Sequence, residues 1–377
     1  MAGFTTRAIH AVHNLEKNAI VPPIYLASTF TQPSDGTPGE YEYQRGSNPT
    51  RTAVETTLAQ LENAQYSYVY SSGMGASSAA LGLVRNGETL LMGMPSYGGN
   101  YRFATIELPK RGAHVKFIAD FTTLSDEDFS DNVTMVFLET PTNPTLKVSD
   151  ITRISQIAHR NGAIVVVDNT FLTPYLQRPL ELGADITVQS ATKYLAGHAD
   201  LLGGVASTNN PELAEELHKA QLILGGILPP ADSYRLLQNV KTLGLRLERQ
   251  QENAQRLIQA IKKHPAVDCI LYPGSASAEE TKIQSQQAQG QGAVFSFILA
   301  EGHDIQKFIE ALNIFSFAVS LGGIESLVCL PATMTQGAYT QEHLDMFGVH
   351  PRLIRVAVGI EDYEDLLEDF TTALNAS

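Results

Sequence analysis

Three elements of this sequence carry residue types that could do chemistry together. Lys193 lies in Ser190-Ala191-Thr192-Lys193-Tyr194, a run rich in hydroxyls and free of carboxylates. A lysine poorly compensated by charge can have a lowered pKa and become a nucleophile. Asp168 ends the apolar run Ala163-Ile164-Val165-Val166-Val167. Gly73-Met74-Gly75 separates a strand-like stretch from a helix-like one, so its backbone N–H groups, helped by the helix dipole, would face an anion. The glycine spacing is not that of a dinucleotide loop, because Ser78 stands where a third glycine would be. About 20 residues further on there is no acid for a ribose hydroxyl. A phosphate without a dinucleotide fits better.

These groups need elements to position them. Val54, Leu58 and Leu61 are spaced as one helix face within Thr52 to Glu62. Tyr66 to Tyr70 is a short strand, and a small-residue helix follows over Ala76 to Val84. Thr89 to Met92, Val115 to Ala119, Met135 to Leu138, Ala163 to Val167 and Asp185 to Val188 are further strand candidates, with an amphipathic helix at Ile151 to Arg160. Strands alternating with helices predict a parallel sheet, and ligands of such sheets bind outside the carboxyl ends of the strands. Asp168 and Lys193 both follow strands, so they should face one crevice.

The first 50 residues read as irregular, broken by Pro22, Pro23, Pro33 and Pro38, an arm that wraps its own domain or reaches a neighbouring subunit. Residues 51–230 read as the α/β domain. A Gly/Pro-rich joint at Gly225 to Pro230 leads into residues 231–377, a smaller α+β domain with a long helical stretch over 232–263. Its strands are expected at Val267 to Leu271, Ala293 to Leu299 and Leu353 to Val358, and its other helices at Ile305 to Leu312 and Tyr363 to Leu374. The Gln/Ser/Ala-rich stretch 274–292 reads as a polar surface segment.

Composition narrows the function. The net charge of −14 disfavours nucleic acid and anionic membrane surfaces as partners. No stretch of 18 uninterrupted apolar residues occurs, and the N-terminus lacks the apolar core of a signal peptide, so a cytoplasmic protein is expected. Cys269 and Cys329 each lie in an apolar run and read as buried small hydrophobes. His198 and Asp200 are too few ligands for a metal. His10 and His13 are spaced as one helical face in the arm, where a surface role is expected.

A phosphate cradle, an amine and a strand-end acid are jointly explained by pyridoxal phosphate. The lysine would form the Schiff base, the acid would keep the pyridine nitrogen protonated, and the loop with Ser190 and Thr192 would hold the phosphate. Asp168 as a turn cap and Lys193 as a solvated surface lysine are the plainer alternatives. Longer motifs go further. Tyr43-Gln44-Arg45-Gly46-Ser47-Asn48-Pro49-Thr50, Glu139-Thr140-Pro141-Thr142-Asn143-Pro144, Val167-Asp168-Asn169-Thr170-Phe171 and Ser190-Ala191-Thr192-Lys193-Tyr194-Leu195-Ala196-Gly197-His198 stand in one order. With them the chain resembles the Cys/Met-metabolism family of pyridoxal-phosphate enzymes over nearly its whole length.

That resemblance implies fold-type I, the aspartate-aminotransferase-like architecture, with a mostly parallel central sheet. It implies Lys193 as the Schiff-base lysine, Asp168 as the pyridine partner, Gly73, Met74, Ser190 and Thr192 as phosphate ligands, and Tyr97 stacked on the ring. Tyr43 and Arg45 would reach the phosphate of a neighbouring subunit, in a homodimer or homotetramer. Arg355 would take the substrate carboxylate, where a planar fork is apt, with Asn143 and Ser320 lining the site. Glu325 reads as structural. The signals of substrate choice are divided: Val319 precedes Ser320 as in methionine γ-lyases, whereas Gly99 and Asn100 depart from them. The expected activity is carbon–sulfur lysis of cystathionine and related sulfur amino acids. γ-Replacement on an acylated homoserine, or a non-catalytic cofactor-binding relative, are the alternatives.

Overall fold

The computed structural model describes residues 2–12 and 18–377; His13 lies outside them. Seven strands, β1 (Tyr66–Tyr70), β2 (Thr89–Gly93), β3 (His114–Ile118), β4 (Val133–Glu139), β5 (Ile164–Asp168), β6 (Ile186–Gln189) and β7 (Gly204–Thr208), form one sheet in the order β1-β7-β6-β5-β4-β2-β3. Neighbours from β6 to β3 pair parallel, and β7 runs antiparallel to both β1 and β6. Five further strands make a second sheet: β8 (Val267–Leu271), β9 (Val294–Leu299), β10 (Ser316–Phe317), β11 (Leu327–Cys329) and β12 (Leu353–Ala357), in the order β10-β11-β12-β9-β8.

Local chemistry explains most boundaries. Asn48 caps the helix Pro49–Glu62 by accepting from the Thr50 N–H, with proline at the first position. The Val-rich core of β5 is buried, as a central parallel strand requires. The glycine loop differs from expectation: Gly73-Met74-Gly75 is itself the first turn of the helix Gly73–Leu81, capped by the Ser72 side chain on the Gly75 N–H. The loop expected to face a phosphate and the helix N-terminus are therefore one feature.

Other departures have physical causes. The sequence pattern does not reveal β7, whose small residues form no apolar run; at Gly204 a Cβ would sit 2.1 Å from the Ser72 carbonyl oxygen, so the close approach demands glycine. The stretch 232–263 is not one helix but Pro230–Asn239, a tight turn Val240–Thr242, and Leu243–Ile261. Arg246 causes the break to be tolerated: its guanidinium donates to the Asn239 carbonyl at 3.0 Å and to the Tyr194 carbonyl at 2.8 Å. The polar stretch 274–292 contains the helix Ala278–Gln287 with a buried Gln284. The arm includes a short helix, Phe4–His10. Cys329 is buried, but Cys269 is exposed, because β8 is an edge strand whose outer face meets solvent. Glu325 is exposed as well, and His198 Nδ1 donates to the Ala196 carbonyl oxygen at 2.7 Å.

Candidate active site

The carboxyl ends of β1, β4, β5 and β6 open into one cavity of about 220 Å³. Gly73, Met74, Tyr97, Asn143, Asp168, Ser190, Thr192, Lys193, Val319, Ser320 and Arg355 all line it. The first sheet supplies the residues up to Lys193; the region of the second sheet closes the other side with the last three.

Lys193 reaches Ser320, its Nζ donating to Oγ at 2.7 Å. Burial first, and the nearby Arg355 charge second, lower its pKa to about 8. Asp168 is held by Thr170, which donates to Oδ1 from its N–H at 3.0 Å and its hydroxyl at 2.6 Å. Burial raises the Asp168 pKa and these bonds oppose the rise. Glu139 stands beside it, paired with Asp168 across β4 and β5. Burial and then the Asp168 charge hold Glu139 well above the usual carboxylate range. Glu139 Oε1 accepts from the Tyr97 N–H at 2.6 Å and from Asn100 Nδ2 at 3.1 Å, so it anchors the loop that presents the Tyr97 ring.

Arg355 is 2% exposed. Nη1 donates to Asn143 Oδ1 at 2.9 Å and Nη2 to the Ser320 carbonyl at 2.8 Å. Among the described residues it has no carboxylate partner within ion-pair distance, and its Nε is buried without an acceptor. An internal salt bridge, the plainer reading of a charge in this strand, is therefore not what occupies it. Ser320 adopts a φ of 100°, a conformation that costs energy for a residue with a Cβ.

Two expected residues are not brought to this cavity. Tyr43 is half exposed and Arg45 donates to the Leu222 carbonyl at 2.7 Å; neither lines the hollow of its own chain. The Thr192 hydroxyl is already engaged with Gly203, donating at 3.2 Å and accepting at 3.0 Å. Sequence reasoning missed Thr170, Glu139 and Asn100. Thr170 links two functions, since its Oγ1 also accepts from the Ser190 N–H at 2.8 Å. Its place two residues after Asp168, in a hydroxyl-on-carboxylate turn, was the available signal.

Comparison with known proteins settles the family. A model of the Cys/Met metabolism PLP-dependent enzymes matches residues 5–375. The chain belongs to that family. It is 42% identical over 360 residues to a cystathionine gamma-lyase of Bacillus subtilis, covering 94% of each. It is 41% identical over 370 residues to a cystathionine beta-lyase of the same organism, covering 96% of this chain and 95% of that one. Among solved structures, it superposes with a TM-score of 0.96 and 37% identity on cystathionine gamma-lyase from Lactobacillus plantarum, covering 100% of this chain and 99% of that one. The fold is thus that of the family's PLP-dependent lyases and synthases.

The cavity fits the family's cofactor on its own terms. A Cβ on Gly73 would lie 2.7 Å from Ser190 Cβ, so only glycine lets the helix start press against that serine. The N–H groups of Gly73 and Met74 have no partner within their helix and suit a phosphate. An acid with one oxygen held by Thr170 and an amine of lowered pKa complete the donor set. As a PLP-dependent enzyme the protein uses this group as its cofactor, and no helix among the described residues is long and apolar enough to cross a membrane.

Proposed function

We propose that the protein is a carbon–sulfur lyase acting on cystathionine and related sulfur amino acids, as its cystathionine-lyase relatives are named to do. The observation that carries this is the sharing of one cavity by a lysine of lowered pKa and a buried arginine lacking a carboxylate. Pyridoxal phosphate bound there supplies an aldehyde for an amino group and a ring that accepts the electron pair left at Cα. Gly73, Met74 and Ser190 would hold its phosphate, Thr192 would join them only by releasing its hydroxyl from the Gly203 carbonyl, and Asp168 would hold its ring nitrogen.

The chain's own groups do the rest. Arg355 fixes the substrate carboxylate through Nε and its remaining N–H groups, which sets the direction of the Cα–H bond. Lys193 Nζ, held over that position by Ser320 Oγ, takes up the Cα proton. Tyr97, 42% exposed and lining the hollow, would carry a proton to the departing sulfur, or from Cβ when the sulfur is on Cγ. Tyr43 and Arg45, exposed and turned from their own cavity, would serve the phosphate of a second copy in a homodimer. A product assay tests the reading. Cystathionine should yield 2-oxobutyrate by γ-elimination or pyruvate by β-elimination. New cystathionine from O-acylhomoserine plus cysteine, without either oxo acid from cystathionine, would replace it by γ-replacement.

A further inference from the structure

The Tyr97 loop and the Arg355 clamp come from opposite sides of the cavity, yet one side chain touches both supports. Gln336 lies beyond the end of β11 and is fully buried. Its Nε2 donates to the Ser96 carbonyl at 3.2 Å and to the Asn143 carbonyl at 3.0 Å, so both protons of the amide are spent across the interface. Its Oε1 accepts from the Thr335 hydroxyl, and its own N–H is tied to the Pro331 carbonyl at 2.9 Å. The approach is close: a Cβ on Gly98 would sit 2.4 Å from the Thr335 carbonyl oxygen.

Each acceptor adjoins a group of the site. Ser96 precedes Tyr97, and Asn143 is the residue whose Oδ1 receives Arg355. We propose that Gln336 is a positioning residue for the reaction, a strut that sets the Arg355–Asn143 clamp in register with the Tyr97 ring. The proposal rests on the roles assigned above to Arg355 and Tyr97. The two ends of the strut are unequal. Ser96 is gripped independently by the Tyr339 hydroxyl, which donates to its carbonyl at 2.7 Å and accepts from its N–H at 2.9 Å. The Asn143 carbonyl has no second donor among the described residues. Loss of the amide therefore leaves a buried carbonyl unpaired on the clamp side, and the damage should fall on substrate carboxylate binding more than on proton transfer by Tyr97.

Gln336→Met keeps length and removes both donors; Gln336→Glu restores one donor only when its carboxyl is protonated. In the holoenzyme, with rates divided by bound cofactor, Gln336→Met should lower kcat/KM by about 10- to 100-fold, chiefly through KM. The Glu variant should regain activity relative to wild type as pH falls, which the Met variant should not. That second variant decides the matter if the first does not fold. A merely structural role would lower cofactor content and leave KM per bound cofactor unchanged. Unchanged KM in both variants, or parallel pH profiles for the two, overturns the strut. Titration of the holoenzyme with L-serine, read by absorbance, reports the clamp without turnover. Weaker L-serine binding in the Met variant supports the strut even where the wild type cleaves no thioether, a result that would sink only the lyase reading; equal binding overturns the strut itself.

Discussion

Two regions of this molecule bury charge, and they do so in opposite ways. Along the helix Pro49–Glu62, Arg51 is 1% exposed and spends its Nη groups on the Gln44 and Gly46 carbonyls at 2.7 and 2.8 Å. Glu55 lies 3.7 Å from it and accepts from the Val69 N–H and Gln221 Nε2 at 3.0 and 3.1 Å. These two charges form an ion pair inside the protein, although burial still raises the Glu55 pKa and Arg51 Nε makes no hydrogen bond among the described residues. At the carboxyl edge, Arg355 donates to two neutral oxygens and has no carboxylate within ion-pair distance among the described residues, and Lys193 donates to a hydroxyl. A buried ion without a protein counter-ion is expensive. Such a charge is expected where a ligand completes it, so an incomplete charge beside a hollow points to a binding site better than burial or charge alone.

The sharpest way to break that comparison is to remove the incomplete amine. Lys193→Ala should abolish turnover and the borohydride-sensitive yellow absorbance of the loaded protein, while a scaffold variant such as Arg51→Lys retains both. Absorbance that survives in Lys193→Ala and still bleaches with borohydride would place the reactive amine elsewhere. Removing the incomplete cation comes next. Arg355→Leu should cost about 100-fold in kcat/KM, mainly as a higher KM, because a bidentate charge-assisted pair is lost. The same change should raise the pKa of Lys193 above about 8, since the Arg355 charge is one of its two depressants. The pH dependence of amine modification in the cofactor-free protein reads this directly, and an unshifted profile would mean that burial alone sets the value.

A smaller effect is expected at Gly99. A Cβ there would lie 2.4 Å from Tyr97 Cε1 and 2.5 Å from Met74 Sδ. Gly99→Ala should push the ring off its position and lower kcat about 10-fold with cofactor still bound. Unaltered kcat would show that Tyr97 tolerates displacement and is not the proton carrier.

Much of this arrangement was legible in the chain because its determinants are local. The apolar run before Asp168 and the small residues after Tyr70 declare strands and a tight helix start within a few residues of the reacting groups. Tyr97, Ser320 and Arg355 needed the family resemblance, since no spacing links them: Arg355 meets Asn143 from 212 positions away. Gln336 carries no signal in the sequence, and Glu139, though it opens one of the family motifs, carries no sign there of its hold on the Tyr97 loop. A buried glutamine is recognised by the carbonyls it spans, and those lie 193 and 240 positions from it. Cys269 shows the converse failure, where an apolar run predicts burial but the strand lies at a sheet edge.

The smallest effect sharpens the comparison from the scaffold side, because one charge there is not answered. Glu62 is 1% exposed and accepts from Gln189 Nε2, yet Glu62 Oε2 and Gln189 Oε1 are both buried without partners among the described residues. Burial pushes the Glu62 pKa up to about 8 from its ordinary 4.5. A protonated Glu62 can donate from Oε2 to Gln189 Oε1 and close an acid–amide ring, which makes the pair neutral and complete. Between pH 4.5 and 8 the folded chain holds a proton that the unfolded chain has released. Stability therefore falls as pH rises through that window and levels off above it. Glu62→Gln supplies the missing N–H at every pH. Its unfolding free energy should match wild type near pH 4.5 and exceed it by on the order of 3 kcal/mol at pH 9, with kcat unchanged. Asp168 and Glu139 titrate alike in both proteins, so the difference between the two denaturation curves isolates this pair. A difference that stays flat with pH would show Glu62 ionised in the folded chain throughout that window.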